Sequence, residues 1–396
     1  MRTLVISDLH LGAASGAALL SRPAPRAVLF DALADVDRLV LLGDVLELRH
    51  GPRRDALAAA RPFFEELGRV FAGREIVVVA GNHDHALAES WLRAREESTT
   101  PTPLALEQLI PAAQASSMVA AMAEWAAPAR LSAAYPGLWL RPDVYATHGH
   151  YLDCHLTVPT MERLGIAITA RVLGRAAESF TSVADYEAVT APVFAWIDAV
   201  ARQAPTGSTL NGQSTVRVWR ALSGAGGNGG GALTNLRMRA LAGAFPVGIA
   251  ALNRVGIGTF RADISASELR RAGLRAMGEV ATRLALGDAY VIFGHTHRAG
   301  PLSGDEASEW RVEDGHANRI ARDDHVDGRA TDACAARLIN AGCWTYDSYF
   351  VTRTPGESPY WPGGSVIVDD GDASAPPVLR RLLDDYTPED LTPLQA

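Results

Sequence analysis

Five times along this 396-residue chain, a short apolar run rich in Val, Ile and Leu stops abruptly and is followed at once by carboxylate, amide or imidazole side chains. "TLVIS" stops at Asp8 with His10 two residues on, and "RLVLL" stops at Gly43-Asp44. "EIVVVA" ends on Gly81-Asn82-His83-Asp84, "DVYAT" on His148-Gly149-His150, and "YVIF" on Gly294-His295-Thr296-His297. Runs of this length and composition read as buried strands, and glycine lets the chain turn sharply where they stop. Ala-rich amphipathic stretches such as Arg53 to Ala72 lie between them and read as helices. Strands alternating with helices predict an α/β layered domain, in which ligands bind beyond the carboxyl ends of the strands.

The length allows one large domain or two ordinary ones. A hydrophobic fraction of 48% and a charged fraction of 21% are those of an ordinary globular chain, and a net charge of -8 disfavours a general nucleic-acid binder. All 37 basic residues are Arg, which excludes Schiff-base and P-loop lysine chemistry. Cys154, Cys334 and Cys343 are too few for a disulfide framework and lack metal-finger spacing. "MRTLVISDLH" enters a strand pattern with no signal-peptide signature, and no apolar run has spanning length. These features predict a cytoplasmic protein.

The character changes between about His155 and Gly287. This stretch reads as helical, and "SASELRRAGLRAMGEVATRLAL" opens with the capping-box pattern Ser265-x-x-Glu268. Pro192 and Pro246 are expected to kink or end their helices, and Ser223 to Ala232 reads as a flexible Gly-rich loop. It holds 14 Arg against 8 acidic residues, about +6 within a chain of -8. Strands return after Gly287, with "RLINAGCWTYDSYF" and "GSVIVDD" beyond an acidic, loop-like Gly304 to Asp332. The expected organisation is a discontinuous core (1–154 and 288–385) interrupted by a helical insert or cap (155–287), with a tail (386–396).

The strand-end residues offer oxygen and nitrogen donors and no nearby thiolate. That argues against a Cys-type structural zinc site and suits Mn, Fe or catalytic Zn. Singly, Asp8-x-His10 reads more often as a surface polar pair and Gly43-Asp44 as a turn, while the string Gly81-Asn82-His83-Asp84 is the more specific. Together, in order and each at a strand end, they resemble the calcineurin-like metallophosphoesterases, whose pattern is D-x-H, G-D, G-N-H-D/E, H and G-H-x-H. The resemblance implies a two-sheet β-sandwich flanked by helices, with two metals at the strand ends. Carried over by position, Asp8, His10, Asp44 and His297 would hold one metal. Asp44 would bridge to a second, held by Asn82, His148 and His295. Two divalent ions, Mn foremost and Fe or Zn as alternatives, would supply a bridging hydroxide and clamp the phosphoryl oxygens.

His83 would then protonate the leaving group or stabilise charge on phosphorus, oriented by Asp84. Asn82 and Arg298 would meet the substrate, Arg298 by a bidentate phosphate contact. His150 fits the ligand position less well than His148, and His50, His85 and His155 read as solvated or supporting residues. "SDLHLG" with "GDVLE" looks like UDP-2,3-diacylglucosamine hydrolases, although those enzymes carry Arg at the position of His83 and a shorter lid. Glu47 stands where many relatives have Asp and is not expected to ligate.

In the insert, Met161, Leu164, Ile168 and Val172 share a helical face, with Arg171 and Arg175 elsewhere. The stripe either packs on the core or, with the apolar segment Leu241 to Phe260, forms a greasy, basic lid. A lid would suit a lipid-linked phosphodiester or pyrophosphate and a peripheral contact with an anionic membrane. The alternatives are a nuclease or phosphomonoesterase of the same family, with nucleic acid disfavoured by the acidic balance, and a non-catalytic binding scaffold. A scaffold would be expected to have lost ligands.

Overall fold

The apolar runs form strands because both of their faces are covered. In β1 (Arg2–Ile6), β2 (Arg38–Leu42) and β3 (Glu75–Val79) every residue but the first is buried, so they lack the alternation of a half-exposed strand. The computed structural model describes residues 1–203, 248–254, 257, 260–261, 265–312, 336–348, 351, 358–372 and 374–392. The Gly-rich loop, Pro246, Cys334, most of Leu241 to Phe260 and the second part of the acidic stretch lie outside them.

β1, β2 and β3 pair in parallel. β5 (Arg130–Arg141) continues this arrangement on β3 through Ala134, and from Gly137 it pairs antiparallel with β6 (Val144–Thr147). β4 (Glu107–Pro111) lies antiparallel on β5. From β6 the sheet runs on in parallel through β7 (Tyr290–Phe293) to β8 (Arg337–Asn340). β9 (Gly364–Asp369) flanks β1 on its other side, and β10 (Val378–Arg381) flanks β9. The result is one ten-stranded sheet. Two packed sheets are expected, yet the ladders join because β5, at 12 residues, serves both halves.

Val5, Val40, Leu42, Val77 and Val79 from one half share an apolar cluster with Leu138, Val144, Ala146, Ile292 and Ile339 from the other. The opposite face of the first half is covered by the helix Arg53–Val70, whose Ala56, Ala60, Phe63, Phe64 and Leu67 recur at helical spacing and are buried.

The described elements between His155 and Gly287 are helical: Met161–Val172, Val183–Gln203 and Ala266–Arg283, with short 3-10 and helical pieces between. Ser265 Oγ accepts from Glu268 N at 3.2 Å, which begins the last of them as its sequence suggests. Pro192 lies inside Val183–Gln203 rather than at its end. Met161, Ile168 and Val172 are 67%, 51% and 79% exposed, so most of the apolar stripe faces outward. The buried face is Arg163, Ile166, Ala167 and Ala170. Charge fixes these helices to the sheet layer. Arg49 pairs with Glu162, and Arg53 joins Glu89 at 2.7 Å to Asp198 at 2.9 Å.

Candidate metal centre

The turns that end the strands hold side-chain-bearing residues in a conformation normally reserved for glycine. Asp8, His10, Asp44, His295 and His297 have φ of 57°, 47°, 51°, 64° and 58°. Each such residue costs about 1–2 kcal/mol. Backbone bonds between the turns hold them there: Asp8 N to Gly43 O at 3.2 Å, His10 N to Asp44 O at 2.8 Å and Gly294 N to His148 O at 2.9 Å. Two glycines permit the approach. A Cβ on Gly43 would lie 2.6 Å from His148 Cβ, and one on Gly81 would lie 2.5 Å from Asp44 N.

The five motifs converge on one place. Three groups of donor atoms each lie within 4.8 Å of one another: Asp8, His10 and His297; His10, Asp44 and His83; Asp44, His148 and His295. Asp44 Oδ2 is 3.7 Å from His10 Nε2 and 3.4 Å from His148 Nε2. Asn82 Oδ1 is 3.0 Å from both His148 Nε2 and His295 Nδ1. His297 Nε2 is 3.3 Å from Asp8 Oδ1 and 3.2 Å from His10 Nε2.

Partners behind the imidazoles select which nitrogen faces inward. His148 Nδ1 bonds Leu42 O at 3.0 Å, and His10 Nδ1 bonds Glu47 Oε2 at 3.0 Å. His295 Nε2 bonds Asp153 Oδ2 at 3.1 Å. Asn82 Nδ2 donates to Glu162 Oε1 at 2.7 Å, which turns its carbonyl oxygen inward.

These residues fit divalent cations. His10 Nε2 faces His297 Nε2, and the buried Asp8 Oδ1 makes no hydrogen bond of normal geometry among the described residues, with His297 Nε2 3.3 Å away. Asp8, Asp44, Glu47, Asp84 and Asp153 are all at most 4% exposed, a concentration of carboxyls that calls for positive charge. Burial opposes ionisation of Asp8, yet His297 and His148 hold it at about 2. Burial likewise opposes charge on His148, and Asp44 and Asp8 raise it to about 9. Mixed O and N donors suit borderline ions rather than Ca²⁺ or a thiolate-bound zinc.

Asp84 requires a correction. It is the chain neighbour of His83, but its carboxylate accepts from the amides of Gly81, Asp44, Val45 and Leu46 at 2.7–3.2 Å, braces the turn below the site and does not bond His83. Burial and the Asp44 charge lift its pKa to about 6. The residue behind His83 is Glu47, at 2.9 and 3.0 Å from Nδ1, so one carboxylate holds both His10 and His83. Burial works to raise the Glu47 pKa, and the two imidazoles hold it well below the carboxylate range.

Arg298 is anchored rather than solvated. Its Nη2 bonds Asp305 at 2.9 Å, its guanidinium lies 4.9 Å from the centre of the Trp310 ring, and it lines a cavity of about 280 Å³ with Asp44, His83 and His297. His150 is buried with neither ring nitrogen bonded among the described residues, and it is not in any of the donor groups. His50 accepts from Ala14 N at 3.4 Å. His85 and His155 bond the hydroxyls of Tyr135 and Tyr186 at 2.9 and 2.8 Å.

The sequence reading missed the supporting acids Asp153 and Glu162. Neither sits in a motif; Glu162 is carried by a helix remote in sequence from Asn82, and the one signal for Asp153 was its place three residues after His150 in "HGHYLD". Among curated proteins, none matches the chain. Residues 1–164 match the family model described as calcineurin-like phosphoesterase, a family that works with a binuclear divalent metal centre. Residues 1–164 therefore match a calcineurin-like phosphoesterase domain, and a domain of this kind indicates metal-dependent hydrolysis of phosphoric esters.

Proposed function

We propose that the chain hydrolyses a phosphodiester or pyrophosphate with an apolar, lipid-like substituent, and that residues 155–287 form the cap over a two-layer core. The observation that carries this is a groove of about 590 Å³ lined by Arg49 and His83 together with Met161, Ile168, Trp196 and Val200. His83 borders both this groove and the cavity beside the metal-type residues, so a reacting phosphorus between them would extend its substituent over an apolar surface.

In this reading Asp8, His10, Asp44 and His297 hold one ion, and Asp44, Asn82, His148 and His295 the other. Two divalent ions held there would lower the pKa of a bound water and offset the charge of the phosphoryl oxygens. Glu47 fixes His83 through Nδ1, leaving Nε2 to give a proton to the leaving-group oxygen. Arg298 has Nη2 committed to Asp305 and holds its guanidinium plane against Trp310 as a phosphate contact. Exposed Arg171, with the apolar stripe beside it, is the part of the cap that would meet an anionic interface.

The test is a series of 4-nitrophenyl alkyl phosphodiesters, methyl to octyl, with manganese-loaded protein. A buried methylene is worth up to about 0.8 kcal/mol, so KM should fall by roughly tenfold or more along the series. Trp196→Ala should flatten the dependence. A KM independent of chain length would remove the lipid reading and leave a small-substrate diesterase.

A further inference from the structure

A second cavity, of about 550 Å³, lies on the other flank of the helix Ala266–Arg283 and contains none of the metal-type residues. Its walls include Ala272, Ala276, Val312 and Leu338, and its charged groups include Arg163, Arg283 and Arg311.

Arg163 is the unusual member. It retains 7% of its surface, donates Nε to Leu156 O at 2.9 Å and stacks on Phe260 with its guanidinium 5.1 Å from the ring centre. No carboxylate lies within ion-pair distance of it among the described residues. A buried guanidinium without a counter-ion is costly, and most buried arginines are paired. Burial pulls its pKa down, and the fields of Cys154, Asp153 and Glu178 offset this only in part. Two further polar atoms in the same wall, Arg283 Nε and Thr157 Oγ1, are buried without a hydrogen-bond partner among the described residues. The acids nearby are largely occupied: Glu279 with Arg283 and Glu309 with Arg271, while the exposed Glu178 stands at the rim.

From this geometry we infer that the cavity is a second ligand site, for a small organic anion. Its carboxylate or phosphoryl group meets Arg163, with Thr157 and Arg283 beside it, and its apolar body lies over Ala272, Ala276 and Leu338. The ligand supplies a counter-charge that Arg163 lacks among the described residues and the apolar contact that the walls offer. Arg163 directly follows Glu162, whose carboxylate orients Asn82, so the bound anion braces the helix that reaches the metal centre.

The test is calorimetric titration of the metal-loaded full chain with benzoate and, separately, phenylphosphonate. Arg163→Gln removes the cation, Thr282→Phe fills the cavity with Arg163 intact, and Arg298→Ala alters only the other cavity. One benzoate site per chain is expected, weakened at least tenfold by Arg163→Gln and by Thr282→Phe and unchanged in Arg298→Ala; phenylphosphonate is expected to show the same Arg163-dependent site beside one at the metal centre. The probe that binds more tightly identifies the anionic group. Benzoate binding that survives Thr282→Phe and Arg163→Gln, or binding of neither probe to the Arg163 site of the wild type, overturns the inference. Binding is read without turnover, so the result is independent of the catalytic proposal.

Discussion

Replacing Glu47 by Gln tests the catalytic geometry with little change in shape. Glu47 is 4% exposed and accepts from His10 Nδ1, His83 Nδ1 and the Arg49 amide at 2.9–3.0 Å. Glutamine keeps one oxygen and presents an NH₂ to the other imidazole, so at least one ring loses its acceptor and its fixed tautomer. A hydrogen bond to a charged group is worth about 1.5–3 kcal/mol, which corresponds to roughly 10- to 150-fold in rate if the loss falls on the transition state. The assay is kcat of the manganese-loaded protein on two diesters that differ only in the leaving group, methyl 4-nitrophenyl phosphate and methyl phenyl phosphate. A proton donated by His83 matters most where the leaving oxygen is basic. The loss should therefore be near the upper figure for the phenyl ester and several-fold smaller for 4-nitrophenol. Equal losses on both would refute the role of His83 as donor, and no loss on either would refute the coupling through Glu47.

Other outcomes follow from the same contacts. Gly81→Ala should abolish manganese binding in a dialysis assay, because the new Cβ meets the Asp44 amide and the His148 ring; full metal occupancy would contradict it. Asp84→Asn should lower urea-unfolding stability by about 1–3 kcal/mol, since four backbone amides lose a carboxylate, while an unchanged folded variant would show the brace to be dispensable. Glu187 is buried and accepts from Tyr135 and Tyr151 at 2.5 Å and from His85 at 3.3 Å. Burial opposes its ionisation, and His85 and the phenols bring its pKa below the ordinary 4.5. Its contribution is thus complete above pH 4.5 and lost as pH falls through the lower folded value. Glu187→Gln should cost about 1.5–3 kcal/mol at pH 7 and less below pH 4; a gap constant from pH 7 to 3 would contradict this.

The strands that carry the site were legible because their apolar runs end in an abrupt change of chemistry. β4 and β10 were not, since both are edge strands whose mixed exposure leaves no apolar run. The seven metal-type residues converge as their order suggested, but their left-handed backbone could not be read from aspartates and histidines. Asp84 was misread through chain adjacency: its carboxylate is taken by backbone amides, while the His83 ring meets Glu47 and lines the cavity. Glu47 was noticed only as a departure, because its two imidazole partners lie 37 and 36 residues away. The outward apolar stripe of Met161–Val172 could not be told from a core-facing one, since periodicity reports a face and not what covers it.

The central claim is best tested by counting metal during activation. Metal-stripped protein is titrated with Mn²⁺ while bound ions and bis-4-nitrophenyl phosphate hydrolysis are followed together, with Asp44→Ala alongside. Two ions per chain are predicted for the wild type, with hydrolysis rising as the second binds, and neither full occupancy nor hydrolysis in the variant. Hydrolysis that proceeds without metal, or a wild-type chain that binds none, would contradict the account.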